Sequence, residues 1–338
     1  MSKIDKKRLE SIISRFSENR IMVVGDIMLD EYMEGTVDRI SPEAPIPVVN
    51  LTNNRDRDIR LGGAANVFSN LVSLGGKEIS LCGVIGNDTD GKLAREKISA
   101  MGADAEGLIL DKDRPTIVKT RIIAHNQQVI RLDREESQPL SKKTRNAVAG
   151  YIKEKLDSLD AIIFSDYEKG VITKSLLEEI LPLAAEKGVL VAVDPKFTNF
   201  RYFKGATIIV PNRKEASGFV RHEIIDDSSA LKAAQNIMES LKSESVLVKL
   251  SERGMLLLEK DGHHVFIETV AEQVYDVTGA GDTVISTLMS AKTAGATWEE
   301  AARIANFAAG IVIHYIGTSV IKVDQLKSAI LENRFPTP

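Results

Sequence analysis

Cysteine is almost absent from this sequence, because Cys82 is the single cysteine among 338 residues. One cysteine excludes a framework of intrachain disulfides and a zinc site built from cysteines, so we expect a reducing compartment. Histidine is sparse as well, with five residues dispersed along the chain. The adjacent pair His263 and His264 would point to opposite faces of a strand, which is poor geometry for joint metal binding.

The chain also lacks an excess of charge of one sign and any long hydrophobic run. Its 44 Lys and Arg residues and 48 Asp and Glu residues leave a net charge of -4 and a pI near 5.9, which argues against a nucleic acid partner. No stretch is long enough to cross a bilayer, and residues 1–20 are charged and amphipathic, unlike a secretory signal. The sequence therefore predicts a cytoplasmic protein that acts on a small molecule, with no membrane partner.

Two familiar nucleotide-binding fingerprints are missing. The chain has no G-x-x-x-x-G-K-[ST] segment and no G-x-G-x-x-G at its first predicted strand. These absences argue against a Walker-type NTPase and a Rossmann dehydrogenase. No Pro/Gly/Ser-rich linker divides the chain, which predicts one large domain over residues 1–338.

What the sequence does contain is an alternation of short Val- and Ile-rich runs with longer segments of helical period. This pattern predicts an α/β fold with a doubly wound, mostly parallel sheet covered on both faces. The predicted strands are 21–25, 79–84, 161–165, 189–194, 207–211 and 245–250. The predicted helices are 64–74, 88–101, 142–156, 174–187, 228–241, 281–294 and 299–316.

Two segments interrupt the alternation. Residues 35–60 contain three prolines, and residues 114–133 alternate like a hairpin around 125–127. We interpret the parts at about 36–60 and 112–134 as a small β-sheet lid over the carboxyl ends of the main strands, where ligands bind in open α/β sheets. The charged run 55–60 would be the solvated face of this lid.

The segment 276–282, Asp-Val-Thr-Gly-Ala-Gly-Asp, precedes a predicted helix and is the strongest candidate for chemistry. Gly279 and Gly281 leave room for an oxyanion to approach backbone N–H groups at the helix N-terminus. Asp282, in the first turn, can then accept the proton of an attacking hydroxyl. A simple tight turn before a helix has the same appearance, so the segment alone does not decide between the two readings.

Polar residues follow several predicted strands and can also be read in two ways. Asp26 and Asp30 can bind a ligand or act as a cap or salt-bridge partner. Gly62, Gly63 and Asn66 offer close backbone approach and an amide for sugar hydroxyls, or only another tight turn.

The next strand ends carry the same ambiguity. Asn212 and Glu215 can organise Mg²⁺ through its waters or form a helix capping box. Lys196 follows a Val-rich strand and is placed for a ligand. The turn 249–254 can seat a nucleotide or connect two strands of a hairpin.

Taken in order, these motifs resemble those of the ribokinase-like (PfkB) carbohydrate kinases, and the resemblance covers nearly the whole chain. It rests on the early Gly-Asp, on Gly62-Gly63 with Asn66, on Gly86-x-Asp88-x-x-Gly91, on Asn212-x-x-Glu215 and on Asp276-x-x-Gly279-Ala280-Gly281-Asp282. The resemblance implies a ribokinase-like fold with a β lid, often a homodimer through that lid, and ATP-dependent transfer to a sugar hydroxyl.

The resemblance also implies roles for individual residues. Asp282 would be the base, and the N–H groups of Gly279, Ala280 and Gly281 would stabilise the transferring phosphoryl group. Sugar hydroxyls would be held by Asp26, Asp30, Gly62, Gly63 and Asn66. Mg²⁺ would be placed by Asn212 and Glu215, and a monovalent cation such as K⁺ would lie near Asp276 and Thr278. The nucleotide would contact Asn212, Ser251, Gly254, Thr278, Asn306 and Ala309. From charge alone, we expect Lys196, with Arg131 or Arg134 of the lid, to bind a distal phosphate.

Within the family, segments 25–30, 39–45, 131–135, 165–167 and 194–196 resemble the branch of heptose 7-phosphate kinases that serves ADP-heptose and lipopolysaccharide synthesis. That branch is often fused to a cytidylyltransferase-like domain, and the lack of an H-x-G-H motif leads us to expect a free-standing kinase. Residues 31–34 and 167–169 depart from the branch, which typically has Gly at the position of Glu168. Three alternatives stay open: a kinase of another sugar phosphate, sugar or nucleoside, a non-catalytic sugar-binding regulator, and an oxidoreductase or nucleotide-dependent synthase.

Overall fold

The computed structural model describes residues 4–51, 58–102, 105–125, 127–270, 274–332 and 335. Fourteen strands and ten helices occur in these ranges. The strands are β1 (Arg20–Gly25), β2 (Ile27–Ile40), β3 (Pro47–Leu51), β4 (Asp58–Gly63), β5 (Glu78–Gly86), β6 (Leu108–Asp111), β7 (Ile117–Ala124), β8 (Gln127–Arg134), β9 (Ala161–Ser165), β10 (Leu190–Asp194), β11 (Ile208–Ile209), β12 (Ser245–Lys249), β13 (Met255–Glu259) and β14 (His264–Ile267). The helices are α1 (Lys6–Ser14), α2 (Ala64–Ser73), α3 (Thr89–Ala100), α4 (Lys142–Lys155), α5 (Lys174–Glu186), α6 (Arg213–Val220), α7 (Asp227–Leu241), α8 (Ala280–Thr293), α9 (Trp298–Val312) and α10 (Val323–Glu332).

Nine strands form the main sheet in the order β14-β13-β12-β11-β10-β9-β1-β5-β6. The seven strands from β12 to β6 pair in parallel, and β13 and β14 continue the sheet antiparallel. Both faces are buried, as β1 illustrates: Ile21 and Val23 pack into one apolar cluster, and Met22 and Val24 into the other. Helices therefore cover both faces, which confirms the predicted doubly wound α/β architecture.

A second sheet of five strands has the order β3-β2-β7-β8, with β4 also paired to β2. It differs from the expected lid because β2 begins at Ile27, well before residue 36. Asp30 is therefore not in a loop after β1: it lies within β2, paired with Arg60 of β4 and Lys119 of β7. Every described residue of β8 is exposed. Residues 52–57, which include part of the predicted lid and of the charged run 55–60, lie outside the described residues, as does Asn126 of the predicted hairpin.

The other predicted elements of the main sheet are present with small shifts of their ends. The helix expected over 299–316 stops at Val312, because the carbonyl of Ile313 accepts hydrogen bonds from the N–H groups of Tyr275 and Asp276. The helices α1, α6 and α10 and the edge strands β6 and β14 were not predicted, and β13 was foreseen only in the hairpin reading of the turn 249–254. They are short, so their periodicity is weak, and tertiary packing decides them.

Candidate active site

Polar side chains gather at the carboxyl ends of three neighbouring strands of the main sheet. Asp194 ends β10, Asn212 follows β11, and Lys249 ends β12. Asn212 and Lys249 form a parallel bridge, and Lys249 Nζ donates to Asp194 Oδ1 at 2.7 Å. The N-terminus of α8 lies against this group, since a Cβ built on Gly281 would be 3.2 Å from Lys249 Nζ. Parallel pairing thus brings residues from distant parts of the chain to one edge.

The turn that opens α8 requires the glycine at its N-cap. Gly279 has φ 79, and a Cβ there would lie 2.8 Å from Asn66 Nδ2. Any other residue would be strained by the backbone conformation and would displace Asn66. The N–H of Ala280 donates to Val277 O at 3.1 Å, so in this structure the amide closes the turn.

Asp282, in the first turn of α8, is buried and held by two donors. Asn66 Nδ2 donates to its Oδ2, and Tyr167 Oη donates to its Oδ1, both at 2.8 Å. Burial raises the pKa of Asp282 to about 7, and the charge of Asp194 adds to the rise, whereas these two hydrogen bonds and the charge of Lys249 oppose it. A carboxylate poised near neutral pH beside a helix N-terminus is suited to general base chemistry.

Asn66 was expected to bind sugar hydroxyls, but its amide is engaged within the protein. Besides the bond from its Nδ2 to Asp282, its Oδ1 accepts from Asn70 Nδ2 at 3.3 Å. The side chain is 1% exposed. In this structure Asn66 therefore orients the carboxylate of Asp282.

Asp26 is also engaged within the protein. It is fully buried, and its carboxylate accepts the backbone N–H groups of Tyr167, Lys169 and Val171 at 3.0 to 3.1 Å. Its role in this structure is the alternative one for a strand-end carboxylate: it fixes the loop after β9. That loop carries Tyr167 to Asp282, and it includes Glu168 in the left-handed region with φ 58.

Asp30 is buried inside the second sheet, on β2 between β4 and β7, and the predicted residue Gly62 approaches it closely. A Cβ on Gly62 would lie 2.2 Å from Asp30 Oδ2, so this position has no room for a side chain. Gly63, with φ 57, is the residue before α2. Arg121 of β7 donates from Nη1 to Asp30 Oδ1 at 2.6 Å and lies over the ring of Tyr32 at 5.2 Å. Asp30 is thus paired with a cation of the lid that was not predicted.

The three basic residues expected at a distal phosphate are not brought together. Arg131 pairs with Asp133 on the exposed strand β8, and Arg134 pairs with Asp90. Lys196 pairs with Glu215, and its Nζ lies 5.5 Å from the centre of the ring of Tyr167, the residue that donates to Asp282. The two arginines lie on the lid, whereas Lys196 belongs to the strand-end group.

Asn212 and Glu215 form the capping box at the start of α6. Asn212 Oδ1 accepts from Glu215 N at 2.9 Å, and Glu215 Oε2 accepts from Asn212 N at 2.8 Å. The other carboxylate oxygen of Glu215 bonds to Lys196. Within the described ranges, no cluster of three His, Cys, Asp or Glu residues is suited to a metal. Because the side-chain oxygens of Asn212 and Glu215 already accept hydrogen bonds, they are better suited to bind the water shell of Mg²⁺ than to coordinate the ion directly.

A pocket of about 850 Å³ lies beside β14 and α9, on the side of the predicted nucleotide residues. Asn306 and Arg253 line it, and Asn306 Nδ2 donates to Glu268 O at 2.8 Å. Gly254, next to Arg253, has φ 81, and a Cβ there would lie 2.0 Å from Ile267 O. Ser251 also has positive φ, and Ala309 lies on α9 three residues after Asn306. The tight turn after β12 is therefore one wall of this region.

Asp276, expected near a monovalent cation, holds the turn before α8 to a distant loop. Its Oδ1 accepts the N–H and hydroxyl of Thr278 at 2.9 and 2.6 Å, and its Oδ2 accepts the N–H of Gly317 at 2.8 Å. Burial is the strongest single influence and raises the pKa of Asp276, but the hydrogen bonds from Thr278 and Gly317 outweigh it, so the pKa lies below its usual value.

No helix in the described part of the chain has the length and apolarity to span a membrane.

Residues 18–325 match the family described as pfkB family carbohydrate kinase. This chain belongs to that family. The carbohydrate kinase is 42% identical over 327 residues to the Bifunctional protein HldE of Geotalea uraniireducens, a match that covers 97% of this chain and 66% of the relative. The protein of the same name from Syntrophotalea carbinolica is 40% identical over the same shares. The chain thus spans just under two thirds of the length of these curated relatives.

Solved structures share the fold of this sugar kinase. Phosphofructokinase-2 from Escherichia coli, in complex with potassium, aligns with a TM-score of 0.75 and 18% identity over 94% of this chain and 99% of that one. The ribokinase of Arabidopsis thaliana, complexed with ribose and ATP, aligns with a TM-score of 0.73 and 19% identity over 93% and 99%. At these identities the likeness shows the fold alone, and it confirms the ribokinase-like architecture.

Three residues near Asp282 in this kinase, and Arg121 beside Asp30, had no predicted role of their own. Tyr167 lies in a loop without periodicity, and its contact with Asp282 depends on the pairing of β9 with β1 and β10. Asp194 and Lys249 carried a usable signal, because each is a charged residue that ends an otherwise apolar strand. Arg121, inside a lid strand, carried none.

Proposed function

We propose that this sugar kinase transfers the γ-phosphoryl group of ATP to the anomeric hydroxyl of D-glycero-D-manno-heptose 7-phosphate, in the synthesis of ADP-heptose for lipopolysaccharide. The observation that carries the catalytic part is Asp282, a buried carboxylate with a pKa of about 7 at the start of α8. The choice of sugar is supported by the motifs that resemble the heptose 7-phosphate kinase branch. Similarity to the HldE proteins over almost the whole chain supports the same branch.

In the proposed reaction, Asp282 takes the proton of the sugar hydroxyl as its oxygen attacks the γ-phosphorus. A carboxylate has about four lone-pair positions, so the bonds from Asn66 and Tyr167 leave room for a third donor. The amides of Gly279 and Gly281 would stabilise the charge on the transferring group. Asp26 and Asn66 would act on the sugar indirectly, by holding Tyr167 and Asp282, and Asp30 would contact it directly.

For the distal phosphate we propose Arg121 in place of Arg131 and Arg134. Arg121 touches Asp30, whereas Arg131 pairs with Asp133 on the lid, Arg134 pairs with Asp90 of α3, and both arginines are half exposed. Lys196 lies beside Glu215 and is more suited to the phosphates of the nucleotide.

The nucleotide would lie in the pocket lined by Asn306, next to the turn that contains Gly254. Mg²⁺, which would screen the phosphate charges, is proposed to be held through water by Asn212 and Glu215. A K⁺ site near Asp276 and Thr278 stays a proposal, for which the potassium in the E. coli structure is a precedent in the same fold.

The lid also supports the proposed homodimer. Large apolar side chains stand exposed on it, among them Ile40, Leu51, Ile130 and Leu132, at 43 to 62% exposure. Exposed apolar groups concentrated on one small sheet are typical of a surface that another protein covers. A second copy of the chain would bury them.

A coupled assay of ADP release over a panel of sugars and sugar phosphates tests the proposed substrate. We expect heptose 7-phosphate to give the highest kcat/KM. A clear preference for ribose or fructose 6-phosphate would reject the heptose assignment and leave a pfkB kinase of another sugar.

A further inference from the structure

Lys249 places an ammonium group at the turn that opens α8. The backbone of Lys249 is fixed by its N–H, which donates to Pro211 O at 2.8 Å, and by its pairing with Met255. Its Nζ donates to Asp194 Oδ1 at 2.7 Å and would be 3.2 Å from a Cβ on Gly281. This cation is therefore adjacent to the proposed oxyanion site, one residue away from Asp282.

The pair with Asp194 is not explained by stability alone. The side chains of Lys249 and Asp194 are 15% and 6% exposed, and removing two charges from water to this extent offsets much of their attraction. An ammonium has three donors, and the bond to Asp194 uses one of them. Because the position of Gly281 is open to Nζ, an anion bound at the α8 turn would meet a cation that is already oriented.

We propose that Lys249 is a catalytic residue that binds the nonbridging oxygens of the transferring phosphoryl group, and that Asp194 is the positioning residue that holds it there. This inference rests on the proposed roles of Asp282 and of the α8 turn. As the sugar oxygen bonds to the γ-phosphorus, the bond from that phosphorus to the β–γ bridging oxygen breaks, and its electron pair leaves with ADP. The hydroxyl proton passes to Asp282, and Lys249 transfers no proton.

The test compares Lys249→Met and Lys249→Arg with the unmodified protein, on whichever sugar the full-length protein phosphorylates best. Removal of one preorganised donor to a developing oxyanion lowers kcat by about 10² to 10³, so Lys249→Met should lose that factor. Its KM for the sugar should stay within about threefold, because the ammonium contacts the phosphoryl group and not the sugar. Lys249→Arg keeps the charge and should recover at least about tenfold in kcat over the Met variant.

A double variant separates this role from a structural one. Lys249→Met leaves Asp194 buried without its partner, whereas Asp194→Asn combined with Lys249→Met removes both charges and keeps both shapes. If Lys249 acts on the phosphoryl group, the double variant stays as slow as Lys249→Met even when its thermal unfolding temperature returns to the unmodified value. Recovery of kcat to within threefold in the double variant, or an unchanged kcat in Lys249→Met, overturns the proposal. Neither result bears on the identity of the sugar, which the substrate panel decides separately.

Discussion

Replacing Tyr167 by Phe should change the pH at which this kinase gains activity. Tyr167 Oη donates to Asp282 Oδ1 at 2.8 Å, and burial, followed by the charges of Asp282 and Asp194, raises the pKa of Tyr167 well above its usual value. The hydroxyl therefore stays protonated and stabilises the ionised form of Asp282 at every working pH. Without it, the ionised form loses a donor and the pKa of Asp282 rises from about 7.

The size of the shift follows from the strength of one hydrogen bond. A bond to a charged group contributes about 1.5 to 3 kcal/mol, and one pKa unit is about 1.4 kcal/mol, so the pKa should rise by about one to two units. A base must be ionised to act. The acid limb of kcat/KM should therefore lie near pH 7 in the unmodified protein and one to two units higher in Tyr167→Phe. At pH 7, where about half of the unmodified protein carries the ionised base, the variant should be about 5- to 50-fold slower, with most of the loss recovered above pH 9.

The measurement is kcat/KM from pH 5.5 to 9.5 in the coupled ADP assay, with the coupling enzymes checked at each pH. Tyr202→Phe is the matched control, because Tyr202 lies in the short 3₁₀ helix Phe200–Tyr202 with its ring under Lys174 at 5.6 Å. An acid limb that stays at the same pH in Tyr167→Phe would refute the link between Tyr167 and the base. A uniform fall at all pH values would instead assign Tyr167 to placement of the substrate.

Further predictions concern the base, the distal phosphate, the lid and the nucleotide turn. Asp282→Asn can accept the bond from Asn66 with its oxygen and donate from its nitrogen to the Tyr167 oxygen, so kcat should fall by about 10² to 10⁴ with little change in thermal stability, and near-normal turnover would refute the general base. Arg121→Met should raise KM for a sugar phosphate and not for the same sugar without its phosphate. An equal rise for both would mean that Arg121 only holds Asp30 and does not bind the phosphate. Leu132→Glu should shift sedimentation from dimer to monomer, whereas Leu110→Glu, equally exposed outside the lid, should not. Gly254→Ala should lower the free energy of unfolding by more than about 1 kcal/mol, because φ is positive and the added Cβ overlaps Ile267 O.

The elements of the main sheet were predictable because buried parallel strands read as continuous apolar runs. The position of Asp282 at a helix start was also predictable, from Gly279 and Gly281. Side-chain partners were not, because a strand-end residue can turn toward a ligand or toward a neighbouring loop. Asp26 shows this: its sequence context is the same in either case, and only the loop after β9 decides that three backbone amides occupy it.

Asn66 shows a second limit. Its amide was correctly placed near the start of α2, but its partner Asp282 is 216 positions away in sequence, and no local pattern reports such a contact. The second sheet raised the same difficulty. Because β2 runs on directly after Asp26, its first residues read as a loop, and Arg121 became visible as a neighbour of Asp30 only through the pairing of β2 with β7.

The capping box of Asn212 and Glu215 has a consequence for any survey of variants of this protein. Both side chains hold the first turn of α6, and the same two side chains are the proposed outer contacts of Mg²⁺. A substitution at either position would reduce the yield of folded protein and the turnover of each folded molecule together. Selection for growth would merge the two losses into one score. Only specific activity per folded molecule, titrated against Mg²⁺ concentration, would separate a weaker helix from a weaker metal contact.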